Sequence, residues 1–200
     1  MKETKWSVLI DEKSFTTANE NMKYDEQLLQ QLPKYTRIER QYVWQKPSIT
    51  LSYKQDCPSD LFHFDHAKRV TGGGIVFHSP GDIVFSLSMW LNDPEYSGSL
   101  SQKLKRLSKK IEEKLSTITS SNLEIADSII DRNRCSMYPT PFEIMVDNKK
   151  ILGLTIRKFK SKCLIQGILH VADSDQSFNN YINALENYSK LPFDIKSKLF

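Results

Sequence analysis

Three consecutive glycines sit between a basic pair and an apolar run, in Lys68-Arg69-Val70-Thr71-Gly72-Gly73-Gly74-Ile75-Val76-Phe77-His78. Glycine loses more chain entropy on folding than any other residue, so such a run is a burden unless bare backbone is needed there. Two uses fit: a turn or bulge feeding a strand, or a segment whose backbone must approach a ligand closely. The chain has no Gly-x-x-x-x-Gly-Lys-Ser/Thr loop and no Gly-x-Ser-x-Gly elbow. A ligand of these glycines would therefore be held outside both of those motifs.

With 200 residues and no glycine-rich, proline-rich or single-sign linker, the chain is expected to form one domain over residues 1–200 with a full core. No apolar run reaches the length of a membrane span, and Met1 to Lys5 is too polar for a signal peptide, so the expected location is cytoplasmic with no membrane partner. The cysteines Cys57, Cys135 and Cys163 lack Cys-x-x-Cys spacing, which argues against a disulfide framework or a zinc ribbon. A net charge of +4 suits an acidic protein partner and does not argue for nucleic acid.

The element pattern is β-rich with inserted helices. Trp6 to Ile10 reads as a strand. Thr17 and Glu20 form a capping box before Ala18, Met22, Leu29 and Leu32, which share a helical face that ends at Pro33. Arg37 to Trp44 and Ile49 to Tyr53 read as a strand pair turned at Lys46-Pro47, and Ile75 to Phe77 and Ile83 to Met89 read as strands separated by Ser79-Pro80-Gly81-Asp82. Leu100, Leu104, Leu107, Ile111 and Leu115 line an amphipathic helix whose other face carries Lys103, Lys105, Arg106, Lys109, Lys110 and Lys114. That face is either a solvated surface or a dock for an acidic protein. Ser116 to Arg134 is a looser region. A hairpin over Phe142 to Ile156 turns at Asp147-Asn148, Cys163 to Val171 is a strand, and Phe178, Tyr181, Ile182 and Leu185 mark a last helix. Paired strands without strict β-α alternation predict an α+β fold with a mixed, mostly antiparallel sheet flanked by helices.

Several residues could carry chemistry. Cys135 lies beside Arg132 and Arg134, and cationic neighbours raise the thiolate fraction a nucleophile needs; the alternative is a bystander thiol. Cys163 reads as core, and Cys57 has no evident activator. Lys149-Lys150 is either solvated charge or, at Lys150, a fixed cation aimed at a carboxylate, phosphate or thioester oxygen. His63, Asp65 and His66 have poor metal spacing and no third ligand is evident, so no metal is expected. His78 is better placed than either histidine for a role near a ligand.

The segment Arg69-x-Thr71-Gly72-Gly73-Gly74-x-Val76-Phe77-His78 resembles the Arg-x-Ser/Thr-Gly-Gly-Gly-x-Val-aromatic-His signature of the lipoate-protein ligase A family, whose catalytic domain is shared with biotin ligases and octanoyltransferases. Glu20-Asn21-Met22-x-x-Asp25-Glu26-x-Leu28-Leu29 is similar to the family's first helix. Trp44 through Gln55 is similar to its Trp-x-x-Pro…Ser-Leu-Gly-Tyr-x-Gln segment, and Asp147 to Gly153 to its Gly-Lys-Lys-Ile-x-Gly hairpin. The resemblance implies a biotin/lipoate ligase catalytic-domain fold over residues 1–200, with no C-terminal accessory domain of the kind that many single-chain ligases of the family carry. It also implies an acyl pocket lined by Arg69, Thr71, Gly72, Gly73, Gly74, Val76, His78 and Gly153, with Lys150 contacting the activated acyl group.

Two chemistries are implied. In cysteine-type octanoyltransferases the nucleophile lies in a segment like Cys-Phe-x-x-Pro-Ser-x-Tyr-Glu-Leu, which Cys135 to Ile144 resembles through its proline, aromatic and glutamate. Cys135 would then carry octanoate or lipoate as a thioester and no cofactor is needed. In the ligase alternative, ATP and Mg²⁺ with lipoate give a lipoyl-adenylate held by Lys150 and the glycines. The partners implied are an acidic acyl carrier protein and a lipoyl domain or glycine-cleavage H protein. Departures from the pattern are Ser52, Leu154-Thr155 and Ile165-Gln166-Gly167-Ile168, the last where the family usually has His-His-Gly-Thr. They leave open a third reading, an inactive acyl-binding domain.

Overall fold

The computed structural model describes residues 5–119, 122–126, 141–146 and 149–171. Ten strands and two α-helices are described. In chain order they are β1 (Ser7–Asp11), α1 (Ala18–Gln30), β2 (Thr36–Val43), β3 (Ser48–Leu51), β4 (Asp65–Lys68), β5 (Val76–His78), β6 (Ile83–Trp90), α2 (Leu100–Ser116), β7 (Leu123–Ile125), β8 (Ile144–Val146), β9 (Lys149–Phe159) and β10 (Lys162–Leu169). A seven-stranded sheet runs β1-β2-β6-β10-β9-β8-β7, and a three-stranded sheet runs β4-β3-β5. Only β1–β2 and β3–β4 are parallel. The fold is thus α+β with mixed, mostly antiparallel sheets, as the strand pattern predicts.

One pairing differs from the sequence reading. β2 and β3 are neighbours in the chain but belong to different sheets: β2 pairs with β1 and β6, while β3 pairs with β4 and β5. The chain switches sheets at Trp44 to Pro47, where Trp44 is buried, its indole N–H donates to the Ser48 hydroxyl at 3.0 Å, and its ring stacks on His78 at 4.0 Å. Anchoring by that ring replaces the expected tight turn. The strands β4 and β7 also went unforeseen. Both are short, and neither Asp-His-Ala-Lys nor Leu-Glu-Ile carries enough alternation to stand out.

Helix α1 begins at the predicted capping box, with Thr17 accepting from the Glu20 amide and Glu20 returning to the Thr17 amide. It ends at Gln30, so Leu32 is buried beyond the helix rather than within it. Helix α2 covers the opposite face of the large sheet. Leu107 and Leu115 are buried with Phe85, Leu87, Ile165 and Leu169, and Leu100, Leu104 and Ile111 pack against them, as the leucine spacing requires. Its basic face is less open than expected. Lys103 is buried, donates to the Leu91 carbonyl at 2.8 Å and to the Tyr96 carbonyl, and is pushed down in pKa by desolvation. Lys110 pairs with Glu95, Arg106 bonds the Glu95 carbonyl, and Lys109 lies 3.8 Å from Glu113. The ammonium of Lys103 therefore closes a loop, and much of the remaining charge is internally balanced. No described helix is long and apolar enough to cross a membrane.

Under α1 the alternation of the strands sets a polar row. Arg40 on β2, Ser86 on β6, Gln166 on β10 and Thr155 on β9 are successive cross-strand partners. Asp25 of α1 closes on this row: Arg40 Nη1 donates to Asp25 Oδ1 at 2.6 Å, the Ser86 hydroxyl to the same oxygen at 2.8 Å, and Gln166 Nε2 to Oδ2 at 2.7 Å. Asp25 and Arg40 both have fully buried side chains. Four more Arg40 bonds accompany them: Nη2 to Asn21 Oδ1 and to the Lys13 carbonyl, each at 2.7 Å, Nε to the Lys13 carbonyl at 2.9 Å and Nη1 to the Asn21 carbonyl at 3.2 Å.

Removing one member of a buried ion pair strands the other charge in a low-dielectric site. Asp25→Ala is expected to lower the free energy of unfolding by about 3–5 kcal/mol, read from urea titration; a loss below about 1 kcal/mol would mean the pair is solvated in solution.

Candidate active site

The triglycine segment is a loop between β4 and β5 that lies across β9 and β10. Glycines have no side chains to be gripped by, so the loop is held through its carbonyls and flanking residues. Arg69 Nη2 bonds the carbonyls of Gly72 at 3.0 Å and Gly74 at 2.8 Å, while Nη1 bonds the carbonyl and hydroxyl of Thr50, each at 2.7 Å. From the sheet, the Thr155 hydroxyl donates to the Gly72 carbonyl at 3.2 Å and Arg157 Nη1 to the Val70 carbonyl at 2.6 Å. Gly73 has φ +93°, a left-handed conformation that side chains rarely adopt, and a Cβ on Gly72 would meet nothing within 4 Å. The run therefore serves the backbone geometry of Gly73 and leaves open space beside Gly72.

The loop forms one wall of a cleft that holds about 690 Å³, counting the space at its open mouth. Arg69, Gly72, Gly73, Gly74, Val76, His78, Lys150 and Gly153 all line it. Thr71 does not; it is fully buried behind the wall, and its hydroxyl donates to Gln166 Oε1 at 2.6 Å. Cys135 lies outside the described residues, as do Asp147, Asn148 and the last predicted helix. Residues that the sequence reading did not assign to the site also line the cleft, among them Met22 of α1, Val84, Glu143, Leu154, Ile168 and His170. Met22, Val84, Leu154 and Ile168 make its surface largely apolar. Their sequence signal is ordinary amphipathic patterning, which does not distinguish a core position from a cavity wall.

Two glycines on the sheet make room for neighbouring side chains. At Gly167 a Cβ would sit 2.1 Å from Phe85 Cζ and 2.8 Å from Leu154 Cδ2, so this glycine makes room for the Phe85 ring of the α2-side core. At Gly153 a Cβ would lie 3.2 Å from Lys150 Cε and 3.4 Å from Ile168 Cγ2. Gly153 thus sets the lane in which the Lys150 side chain runs.

Lys150 is buried and its Nζ is 2.7 Å from Glu143 Oε1, on a carboxylate that is itself buried and also accepts the Leu154 amide at 3.2 Å. Glu143 thereby fixes the ammonium in an apolar wall, where a charge acts strongly on any carbonyl or phosphoryl oxygen brought to it. His78 stands on the other side of the loop. Its Nε2 meets the Thr50 hydroxyl at 2.7 Å, and its Nδ1 has no hydrogen-bond partner among the described residues. Burial, then the nearby Arg69 and His170, hold its pKa well below the usual imidazole value. His170 Nδ1 is 3.3 Å from Asp82 Oδ2.

Other sequence candidates fall elsewhere. Asp65 accepts the Ala18 amide at 2.7 Å at the start of α1, and His66 and His63 are exposed. Cys163 is fully buried in the α2-side core, with its thiol pushed up to about 11 by desolvation. Cys57 is partly buried, and its thiol is raised by burial and then by Asp60.

The sequence model of the lipoyl protein ligase A/B catalytic domain matches residues 17–198. The chain belongs to that family. No curated protein sequence matches it. Among solved structures it is similar to lipoate-protein ligase A bound with ATP, at 19% identity and a TM-score of 0.70, covering 94% of this chain and 76% of that one. It is also similar to a bi-partite lipoate protein ligase from Thermoplasma acidophilum, solved in an analysis that includes its E2 lipoyl domain, at 15% identity and TM-score 0.63 over 94% of this chain and 75% of that one. A third likeness is to P. falciparum LipL1 in complex with lipoate, at 15% identity and TM-score 0.60 over 87% and 50% of the two chains. At these identities the structures establish likeness of fold. Family membership makes this the catalytic domain of an acyl or lipoyl transferase or ligase, and protein lipoylation its general chemistry.

Because His78 is neutral when folded and its folded pKa is depressed, the unfolded chain takes up a proton that the native state refuses. The stabilisation is fully present above about pH 6.5, the ordinary imidazole value, and is lost as pH falls below it, with a slope approaching about 1.4 kcal/mol per pH unit. His78→Gln should flatten urea-derived stability between pH 7.5 and 5.5 by that slope, and an unchanged profile would assign the acid sensitivity elsewhere. Of the sheet glycines, Gly167→Ala should destabilise by about 1–3 kcal/mol through overpacking against Phe85, and Gly153→Ala by less, measured in the same titration.

Proposed function

We propose that this lipoyl protein ligase A/B family domain transfers an octanoyl or lipoyl group to a lysine of a lipoyl domain or glycine-cleavage H protein, through a thioester on Cys135. The observation that carries acyl transfer is the apolar cleft with the Lys150 ammonium fixed in its wall by Glu143, facing the same space as the bare backbone of the triglycine loop. An aliphatic chain suits the Met22, Val84, Leu154 and Ile168 walls, and the head group suits a fixed cation and backbone N–H donors. Cys135 is assigned from its segment's resemblance to cysteine-type octanoyltransferases.

In this reading the Cys135 thiolate attacks the thioester carbonyl of an octanoyl-loaded carrier, and the carrier's thiol leaves with a proton. The acceptor lysine, as a free amine, then attacks the Cys135 thioester; an amide forms, the amine loses a proton, and the cysteine sulfur leaves. Each attack builds negative charge on the carbonyl oxygen, and Lys150 stabilises it both times. Glu143 keeps the ammonium in place between the steps. An acidic carrier protein suits the net charge of +4.

A second reading is favoured by a specific finding. One similar structure is a lipoate-protein ligase bound with ATP. In that alternative ATP and Mg²⁺ activate free lipoate, Lys150 and the glycine loop hold the lipoyl-adenylate, and Cys135 is incidental. The similar archaeal ligase that was analysed with its E2 lipoyl domain supports a lipoyl domain as acceptor under either reading.

The deciding assay supplies apo lipoyl domain or H protein with either octanoyl-acyl carrier protein or lipoate, ATP and Mg²⁺, and follows acceptor mass. Transfer from the carrier, a hydroxylamine-labile adduct on the enzyme, and loss of both in Cys135→Ala are expected. Full transfer by Cys135→Ala with ATP and lipoate would move the function to the ligase reading, and no transfer from either donor would leave an acyl-binding domain. Lys150→Ala should lower the rate by about 10²–10³ under both enzyme readings, and Glu143→Gln by less, because the ammonium remains but loses its anchor.

A further inference from the structure

The polar row under α1 reaches the glycine loop through two side chains, Thr155 at the Gly72 carbonyl and Gln166 at the Thr71 hydroxyl, and of these Gln166 is the one bonded to Asp25. We infer that Gln166 is a positioning residue that sets the triglycine loop through Thr71. The activity arm of its test rests on the acyl-transfer reading above, whereas the structural arm does not.

The chemistry of the row makes the link directional. Asp25 presents a carboxylate, and its Oδ1 is taken by Arg40 and Ser86. Only Oδ2 faces Gln166, so the amide must turn its NH₂ there, at 2.7 Å, with the same nitrogen 3.5 Å from Met22 Sδ. The amide oxygen is thereby forced toward Thr71, whose hydroxyl has to donate, at 2.6 Å. Gln166 is about 5% exposed and Thr71 fully buried, so neither group can exchange this bond for bulk water. The next residue in the chain is Gly72, at the cleft wall.

That loop has few other handles. Thr71 is the last residue with a side chain before three that have none, and its own carbonyl accepts the Tyr53 amide at 3.3 Å while the Arg69 amide bonds the Leu51 carbonyl at 2.7 Å. Arg69, Thr155 and Arg157 grip carbonyls on either side of Thr71. Gln166 is the member of the set that ties the loop to the Asp25–Arg40 pair, and hence to the rigid helix-sheet junction. A leucine in its place would fill similar volume but leave the Thr71 hydroxyl buried without an acceptor and Asp25 Oδ2 without this donor.

The test measures amide hydrogen exchange at Tyr53 and Arg69 by nitrogen-resolved NMR, together with steady-state acyl transfer, in Gln166→Leu, Thr71→Val, Thr71→Ser and the Gln166→Leu/Thr71→Val pair. Gln166→Leu and Thr71→Val should each raise exchange at both amides by about fivefold or more while β6 and β10 amides stay protected. The double variant should be no worse than either single one, and Thr71→Ser, which keeps the hydroxyl, should match the parent protein. With an active parent, kcat should fall about tenfold in the two loss variants with the acceptor-domain KM unchanged; Gln166 itself also borders the cleft, so Thr71→Val, at a residue buried behind the wall, is the variant that separates positioning from a direct contact. Unchanged exchange at Tyr53 and Arg69, or strictly additive effects in the double variant, would overturn the inference. If Gln166→Leu fails to fold, Thr71→Val carries the same readout. A parent protein that transfers nothing overturns the enzyme reading alone, and the exchange data still decide the role of Gln166.

Discussion

The interaction on which most of the structure depends is the buried pair of Asp25 and Arg40. Both side chains are fully removed from solvent, so their desolvation is recovered only if every donor and acceptor finds a partner. The fold supplies those partners from four directions: Asn21 on the same helix, the Lys13 carbonyl before it, Ser86 on the central strand and Gln166 on β10. Helix α1 is consequently locked over β2, β6 and β10 at one height and in one register. That placement also aims Met22 into the cleft, so a charge pair with no contact to a substrate decides where an apolar wall stands.

Around this junction the cleft is built by removing side chains as much as by adding them. The triglycine loop exposes backbone, Gly167 clears space for Phe85, and Gly153 clears a lane for Lys150. The loop is compensated by bonds from Arg69 and Thr155 to its carbonyls, the Lys150 lane by the Glu143 ion pair, and the space at Gly167 is filled by the Phe85 ring. Thr155 bonds the Gly72 carbonyl and Gln166 accepts the Thr71 hydroxyl, so two neighbouring strands of the sheet both hold the loop.

Much of this architecture was legible in the chain. Capping-box chemistry placed the start of α1, leucine spacing placed α2 against the sheet, and the glycine signature with Lys150 and Gly153 marked residues that do share one cleft. Thr71 was grouped with the wall because it belongs to the motif, although its hydroxyl points the other way. Lys103 read as surface charge, because a lysine on a basic helix face carries no mark of the two carbonyls that await it. The β2–β3 pairing failed for a related reason: two adjacent β-rich runs look like a hairpin unless the anchoring of Trp44 against Ser48 and His78 is known.

What the sequence by itself determined is the local and the periodic: helix caps, amphipathic faces, a special backbone segment at Gly72 to Gly74, and the family to which the chain belongs. Those depend on residue type and spacing within a few turns. Tertiary structure alone decided which strands share a sheet, that Glu143 fixes Lys150, and that Gln166 joins Asp25 to Thr71 over separations of 141 and 95 residues. These contacts arise because a buried donor or acceptor must find a partner wherever the fold brings one, and distance along the chain places no limit on where that is.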